Sequence, residues 1–286
     1  MEKRKQKIGL FLALPILLGT LVFYMVPLLI TIWYSFTFGA GGTNFVGFAN
    51  YQRVWANQRF QLALINTIKF LGIGVPSILI LSLGLALVLN RTFLGNSFFK
   101  LSFLFPMMVP ISSIVMTVQF LFQDFGICNQ LLQAMGLPTQ RWLNSSWAFM
   151  LLLLLYIWKN AGYNIILLLS GLKMIPEDYY HHADLEGANR WQKLHYITLP
   201  MLTPYLFFAL VISVLNSFKS FREAFLLSGN SPHDSIYLLQ YFINNNFENL
   251  NYPRLSVASV IFFSAILIAV LLLFILQQRK RDDIYV

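Results

Sequence analysis

Three basic residues lie inside long apolar stretches of this 286-residue sequence: Lys159, Lys219 and Arg222. In an α-helix, which rises 1.5 Å per residue, Lys159 would lie about 18 Å beyond Trp147, near the middle of a bilayer. Lys219 would lie about 22 Å beyond Pro204, in the outer half. Charges at such depth are costly and usually serve a function. These residues are therefore the first candidates for a functional site.

Amide and aromatic side chains accompany these charges along the sequence. Amides and charged groups hydrogen-bond to hydroxyls, and aromatic rings cover the apolar faces of a hydroxyl-rich solute. The pattern predicts a polar translocation path. The candidate path residues are Tyr156, Lys159, Asn160, Tyr163, Asn164, Asn216, Lys219 and Arg222. Two other interpretations stay open: Arg222 and Glu223 form an ion pair at the outer surface, or Lys219 only extends its amine to the interface.

Catalytic and metal-binding patterns are missing from the sequence. His181 and His182 are adjacent, so on a helix they point about 100° apart and cannot bind one ion from one face. No HExxH motif, which would place two histidines one turn apart beside a glutamate, occurs. Cys128 is the only cysteine, which excludes an internal disulfide. We expect no metal, no cofactor and no catalytic residue in this chain.

The composition indicates that these residues lie in a membrane protein. The chain is 57% hydrophobic and only 11% charged, whereas a soluble domain carries roughly a quarter charged residues. Its net charge of +9 would fit basic loops on the cytoplasmic side of a membrane. We expect no nucleic-acid partner, because no polar basic stretch is interleaved with stacking aromatics.

Long apolar runs predict six transmembrane helices, since about 20 residues cross a hydrocarbon core. The predicted spans are about 8–36, 65–90, 101–123, 147–172, 201–222 and 255–276. The first run is longer than the core of a signal peptide, so we interpret it as an uncleaved span. The strands of a β-barrel would be half as long and would alternate. The expected fold is therefore an all-α integral membrane protein, with a single transmembrane domain over 1–286.

The placement of Lys and Arg residues predicts the orientation of the chain in the membrane. With the N-terminus inside, twelve of the 20 Lys and Arg residues fall on the inside and four on the outside. The other four lie within spans or at their ends. This bias predicts that both termini are cytoplasmic. The largest cytoplasmic loop then covers 173–200.

The loop has the pattern of a short docking helix. Pro176 suits a helix start, and Glu177 and Asp178 favour the positive end of the helix dipole. Ala183 and Gly187 are four residues apart, so they share a face that a partner can approach closely. A helix lying on the membrane surface is the alternative.

The loop resembles the EAA loop of binding-protein-dependent ABC importer permeases, whose pattern is roughly IPxxxYEAAxxDGAxxWQxFxxITLPxL. The matching residues are Ile175, Pro176, Tyr180, Ala183, Gly187, Ala188, Trp191, Gln192, Ile197, Thr198, Leu199, Pro200 and Leu202. The resemblance implies a cytoplasmic coupling helix that fits a cleft in an ATPase. The implied ATPase-coupling residues are Tyr180, His181, His182, Ala183, Asp184, Glu186, Gly187 and Ala188.

The loop departs from the family pattern at three positions. His181 stands where Glu is usual, His182 where Ala is usual, and Glu186 where Asp is usual. The acidic docking contact is therefore either replaced by an adapted partner or supplied by a neighbouring carboxylate. The carboxylates available are Glu177, Asp178 and Asp184.

Further segments are similar to the sugar-type permeases of this family. They include F-A-N-Y from Phe48, W-L-N from Trp142, I-W-K-N-A-G-Y from Ile157 and S-F-K-S-F from Ser217. Within that group the chain resembles the first permease of maltose and glycerol-phosphate systems. The resemblance implies a subunit of an ATP-driven importer of sugars or oligosaccharides, multi-pass in the bacterial cell membrane.

The same resemblance implies the partners. These are a second homologous permease, two ATPase subunits, an extracellular solute-binding protein and membrane lipid. No GxxxxGK[ST] motif occurs in this chain, so ATP and Mg would be bound by the ATPase. Two alternatives are an importer of an anionic solute such as glycerol phosphate, and an ion-coupled secondary transporter, for which inverted repeats are typical. A third, an intramembrane enzyme, lacks its catalytic residues.

Overall fold

The computed structural model describes residues 12–39, 41–91 and 95–284. Within these ranges, six helical segments are long and apolar enough to cross a membrane. They are Leu12–Ser35, Gln58–Leu89, Ile111–Ala134, Trp147–Lys173, Arg190–Ser228 and Tyr252–Leu272. The predicted all-α membrane fold with six spans is confirmed. Residues 8–11 of the first predicted span lie outside the described residues.

The helices are α1 (Leu12–Ser35), α2 (Ala49–Trp55), α3 (Gln58–Leu89), α4 (Asn96–Met108), α5 (Ile111–Phe122), α6 (Ile127–Ala134), α7 (Trp147–Lys173), α8 (Glu177–Leu185), α9 (Arg190–Lys193), α10 (Leu199–Lys219), α11 (Phe221–Ser228), α12 (Leu239–Glu248) and α13 (Tyr252–Ile284). Short π-helical segments lie at Leu21–Met25 and Leu194–Thr198, and a 3₁₀ turn at Asp234–Ile236. Strands β1 (Thr37–Phe38) and β2 (Asn44–Phe45) pair antiparallel.

The prediction of one continuous helix over 101–123 was wrong. The structure breaks this stretch into α4 and α5, with Val109 in an extended conformation (ψ 134°). Pro110 explains the break, because a proline disfavours helical geometry in the residue before it. Pro106, by contrast, is accommodated within α4.

The residues group into two compact units. One reaches to Gln61 and includes Phe242–Ile268. In this unit the buried Asn50 amide donates to the carbonyls of Ser35 and Thr37, at 3.1 and 2.8 Å. These bonds satisfy carbonyls after the end of α1, where the helix itself offers no partner. The F-A-N-Y segment thus fixes the connection that leaves the first span.

The second unit holds Leu62–Tyr241 and the residues from Ala269 on, and α7 is its central helix. One face of α7 packs against α4, where a β-carbon at Gly162 would overlap the Phe103 carbonyl. Further along, α7 packs against α10, and a β-carbon at Gly171 would lie 2.5 Å from the ring of Tyr205. Glycine is needed at both positions because the neighbouring helix leaves no space for a side chain.

Candidate functional site

A polar cavity of about 390 Å³ lies in the second unit, between α7 and the α10–α11 segment. Its lining residues are Met107, Lys159, Asn160, Tyr163, Ile212, Asn216, Lys219 and Glu223. On α7, Lys159 and Tyr163 are four residues apart and so share one face. On α10, Ile212 and Asn216 are four apart and Asn216 and Lys219 three apart, so they also share a face. Helical periodicity therefore brings these side chains to one cavity.

An ion pair crosses this cavity. The Lys159 Nζ lies 2.5 Å from the Glu223 Oε1, and the two side chains are 26% and 5% exposed. The second carboxylate oxygen of Glu223, Oε2, is buried and has no hydrogen-bond partner among the described residues. A buried carboxylate oxygen without a donor is costly. Because this oxygen is buried, the polar side chains that remain accessible in the cavity include those of the partly exposed Lys159, Asn160 and Asn216 and the exposed Lys219.

Five of the eight candidate path residues line the cavity. They are Lys159, Asn160, Tyr163, Asn216 and Lys219. The structure also adds Glu223, which was absent from the candidate set. One signal for it is in the sequence: Glu223 follows Lys219 by four residues, the spacing of side chains on one helix face.

Tyr156 and Asn164 do not line the cavity and instead join α7 to α10. The Tyr156 hydroxyl donates to the Ser213 carbonyl at 2.8 Å, and the Asn164 amide donates to the Ser213 Oγ at 2.8 Å. Both side chains are about 1% exposed. They lie away from the cavity because α10 covers this part of α7, so their polar atoms bond the neighbouring helix.

Arg222 is exposed and also lies off the cavity. The alternative ion pair of Arg222 with Glu223 does not form either, because the Glu223 carboxylate bonds Lys159. Consecutive helix residues point about 100° apart, so these two neighbours face different surroundings.

The loop after α7 forms two short helices joined by a tight turn. α8 begins after Pro176, with Glu177 and Asp178 in its first turn. It ends at a turn in which Gly187 has a φ of 77°, and the Ala188 amide donates to the Ala183 carbonyl at 2.9 Å. This is the left-handed helix end for which glycine is the favoured residue.

A capping box starts α9. The Asn189 side chain accepts from the Gln192 amide at 2.9 Å, and the Gln192 side chain accepts from the Asn189 amide at 2.7 Å. These reciprocal bonds satisfy two amides that have no partner within the helix. The N-R-W-Q segment is therefore a defined helix start, and the loop has a fixed shape.

Some side chains of the loop bond one another, and others are exposed. Lys193 Nζ lies 2.5 Å from Asp184 Oδ1, and the Tyr180 hydroxyl lies 3.0 Å from the Thr198 hydroxyl. These contacts hold α8 against the segment that follows it. The exposed residues include His181, His182, Asp184, Glu186 and Leu185, the last 85% exposed. Ala183 and Ala188 are half-buried, and Gly187 is exposed.

Residues 78–282 match the model of the family described as "Binding-protein-dependent transport system inner membrane component". The chain belongs to this family. The match includes the cavity residues and the whole loop. The protein is therefore a multi-pass membrane permease of binding-protein-dependent transport.

Relatives extend the match over nearly the whole chain. A "Trehalose/maltose transport system permease protein" of Thermococcus litoralis is 28% identical over 99% of this chain and 97% of its own length. A "Sulfoquinovosyl glycerol transport system permease protein" of Agrobacterium fabrum is 31% identical over 87% and 82%. An "Arabinooligosaccharides transport system permease protein" of Bacillus subtilis is 32% identical over 76% and 71%.

A solved structure shows the same fold. A chain of a bacterial alginate ABC transporter, crystallised with a periplasmic protein that binds alginate pentasaccharide, superposes with a TM-score of 0.82. The alignment covers 97% of this chain and 96% of that one, at 22% identity. Family membership supports binding-protein-dependent transport and gives no support to the ion-coupled transporter or the enzyme. The three relatives are named for saccharides or a sugar glycoside, none for glycerol phosphate.

Proposed function

We propose that this chain is one of two permeases of an ATP-driven importer of sugars or oligosaccharides. The observation that carries the proposal is the similarity to a trehalose/maltose permease over 99% of the chain. Relatives named for arabino-oligosaccharides and for lactose also match. The family match also includes the loop and the cavity, because both lie within residues 78–282.

The cavity at Lys159 would bind the solute during passage. A sugar hydroxyl would donate to the amide oxygen of Asn160, which lines the cavity and is partly exposed. The amide of Asn216 and the amine of Lys219, both on the wall, would bond further hydroxyls. Tyr163, which is exposed to the cavity, offers a ring to the apolar face of a sugar. Glu223 neutralises the positive charge of Lys159, so this ion pair does not require a negative charge on the solute.

The loop from α8 to α9 would dock the ATPase. Its inner contacts fix its shape, and its exposed residues, including Leu185, are available to a partner. The carboxylate of Asp184 is engaged by Lys193, so Glu177 and Asp178 are the better replacements for the usual acidic contact. ATP and Mg would be bound by that separate ATPase, and this chain would hold no cofactor.

The remaining proposals concern the assembly. A second homologous permease would complete the path, and two ATPases would dock on the two coupling loops. A solute-binding protein would deliver the sugar from outside the bacterial cell membrane. With the loop at 173–200 in the cytoplasm, both termini would be cytoplasmic.

Uptake by cells tests this function. A host that lacks this chain but keeps the rest of the importer would be supplied with the wild-type chain or a variant. We expect wild type to restore uptake of at least one labelled saccharide among trehalose, maltose, lactose and arabino-oligosaccharides. Lys219→Met and Asn216→Leu should each lower that uptake by roughly tenfold, because each removes a hydrogen bond to the solute.

The matched control is Arg222→Met. It removes a cation three residues from Lys219 that is exposed and does not line the cavity, so uptake should stay at the wild-type level. Immunoblots would show equal amounts of each variant in the membrane. Wild-type uptake by both cavity variants would refute the solute path, and restoration of none of the four saccharides would refute the substrate class.

A further inference from the structure

A second cavity, of about 570 Å³, lies where α3 and α7 end. Its wall includes Leu87 and Arg91 at the end of α3 and Leu172 at the end of α7. The uncharged run that begins after Lys69 stops at Arg91. First charges after an apolar span mark the boundary of the hydrocarbon core. The cavity therefore lies at the level of the lipid headgroups.

The cavity is basic. Arg91, Arg190 and Lys193 line it, and among the described residues of its wall none is acidic. Lys193 is paired with Asp184. Arg91 and Arg190 are exposed, and neither has an ion-pair partner among the residues that the structure describes. Two guanidinium groups are thus available to an anion, and a guanidinium fork matches the oxygens of a phosphate.

Beside the polar Asn90, Tyr180 and Thr198, the wall has an apolar part. Leu87, Leu172 and Leu194 contribute side chains, and the indole of Trp191 is 79% exposed. Tryptophan prefers the boundary between headgroups and acyl chains. A free phosphate would gain nothing from these leucines, since it has no apolar surface to bury. A lipid would place its phosphate on the arginines and its first methylene groups against the leucines.

Contacts within the loop hold the cavity in shape. The Tyr180 hydroxyl bonds the Thr198 hydroxyl at 3.0 Å, and Thr198 also donates to the Lys193 carbonyl at 3.2 Å. Tyr180, Thr198 and Lys193 all line the cavity. The wall is therefore built by bonds of the protein itself, which lowers the entropy cost of binding a ligand.

We propose that this cavity binds the headgroup of an anionic phospholipid, with Arg91 and Arg190 on the phosphodiester and the leucines against the start of the acyl chains. The lipid would join the end of α3 to α9, and so would tie the coupling loop to the membrane. The proposal rests on the position and chemistry of this cavity, and it holds whatever solute the permease carries.

Lipid binding to the purified full chain tests the proposal. Native mass spectrometry would count bound phosphatidylglycerol and phosphatidylcholine at matched concentrations. We expect wild type to retain phosphatidylglycerol in preference to phosphatidylcholine. The double variant Arg91→Gln/Arg190→Gln should bind phosphatidylglycerol roughly tenfold more weakly, since both cations that meet the phosphate are gone. Arg91→Lys/Arg190→Lys should keep a part of the binding, because the charge remains.

The matched control is Arg141→Gln/Arg254→Gln. It removes the same charge from two exposed arginines that do not line the cavity, and we expect wild-type binding. Thermal unfolding of each variant would confirm that it is folded. Equal retention of phosphatidylglycerol by wild type and Arg91→Gln/Arg190→Gln would overturn the proposal. So would displacement of the lipid by free inorganic phosphate, or by the ATPase in the assembled importer, because the cavity would then serve another ligand.

Discussion

The Lys159–Glu223 pair decides the chemistry of the polar cavity at the level of single residues. Lys159 retains some contact with the cavity, whereas the Glu223 side chain is only 5% exposed. Removing one partner of a buried pair leaves an uncompensated charge, which is far more costly than removing both. The two partners are therefore not equivalent, and mutation should distinguish them.

Lys159→Met should destabilise the chain by about 3–5 kcal/mol, because it strands the buried Glu223 carboxylate. Glu223→Gln should cost less, since the 26% exposed ammonium of Lys159 can reach the cavity. The double variant Lys159→Met/Glu223→Met should regain most of the loss. Thermal unfolding in detergent would measure the stability of the purified wild type and of the three variants. Additive losses in the double variant would show that the two charges do not interact.

At the scale of elements, the contact between α4 and α7 depends on a single missing side chain. A β-carbon at Gly162 would overlap the backbone carbonyl of Phe103. Backbone atoms cannot move aside as a flexible side chain can, so α4 would have to shift as a whole. Because Met107 at the end of α4 and Asn160 on α7 both line the polar cavity, that shift would also reach the site.

Gly162→Ala should therefore destabilise the chain by about 1–3 kcal/mol, the usual cost of overpacking. Gly72→Ala is the control. Gly72 also lies within a long helix, but a β-carbon there would meet no atom within 4 Å, so the change should be neutral or stabilising by up to about 1 kcal/mol. Thermal unfolding midpoints would report the stability of both variants. A Gly162→Ala protein as stable as wild type would show that the helices are not in close contact at this point.

The loop from α8 to α9 is the second element with a testable role. Leu185 is 85% exposed at the end of α8, and burial of this apolar side chain against a partner would stabilise the complex. Leu185→Asp should reduce co-purification with the ATPase by roughly tenfold or more, because it places a charge in an apolar contact. Leu137→Asp, which changes a 51% exposed leucine in the segment after α6, should leave co-purification unchanged. Full ATPase recovery with Leu185→Asp would contradict docking at this end of α8.

At the scale of the whole molecule, the family match and six spans establish a multi-pass permease. The orientation is a proposal that rests on the distribution of Lys and Arg. It has a structural consequence, because it assigns the α8–α9 loop and the segment after α6 to opposite sides of the membrane. Labelling of introduced cysteines can test this directly.

In a Cys128→Ser background, which removes the only cysteine, Leu185→Cys should react with a membrane-impermeant maleimide only after cells are opened. Thr139→Cys should react in intact cells. Both side chains at these positions are exposed, so access to reagent, not burial, decides the result. Labelling of Leu185→Cys in intact cells would show that the loop lies outside the cell. The predicted orientation would then be wrong, and the loop could not contact the ATPase.

Much of the site was predictable because helical periodicity relates neighbours along one helix. Tyr163 lies four residues after Lys159 and three after Asn160 on one helix, and this spacing explains why it shares the cavity with each of them. The roles of Tyr156 and Asn164 were not predictable in this way, because they depend on where α10 covers α7. The break at Pro110 had a signal in the sequence, but the absence of charges concealed it in the span prediction.

The sequence by itself determined the membrane class, the number of spans and the family. These properties depend on apolar run length and on a local motif, which need no knowledge of helix packing. Only the tertiary structure decided that Glu223, 64 residues away, compensates Lys159. It also decided that Arg91 shares a cavity with Arg190. Such pairs are set by which helices lie side by side, and that arrangement follows from close contacts such as Gly162 on Phe103.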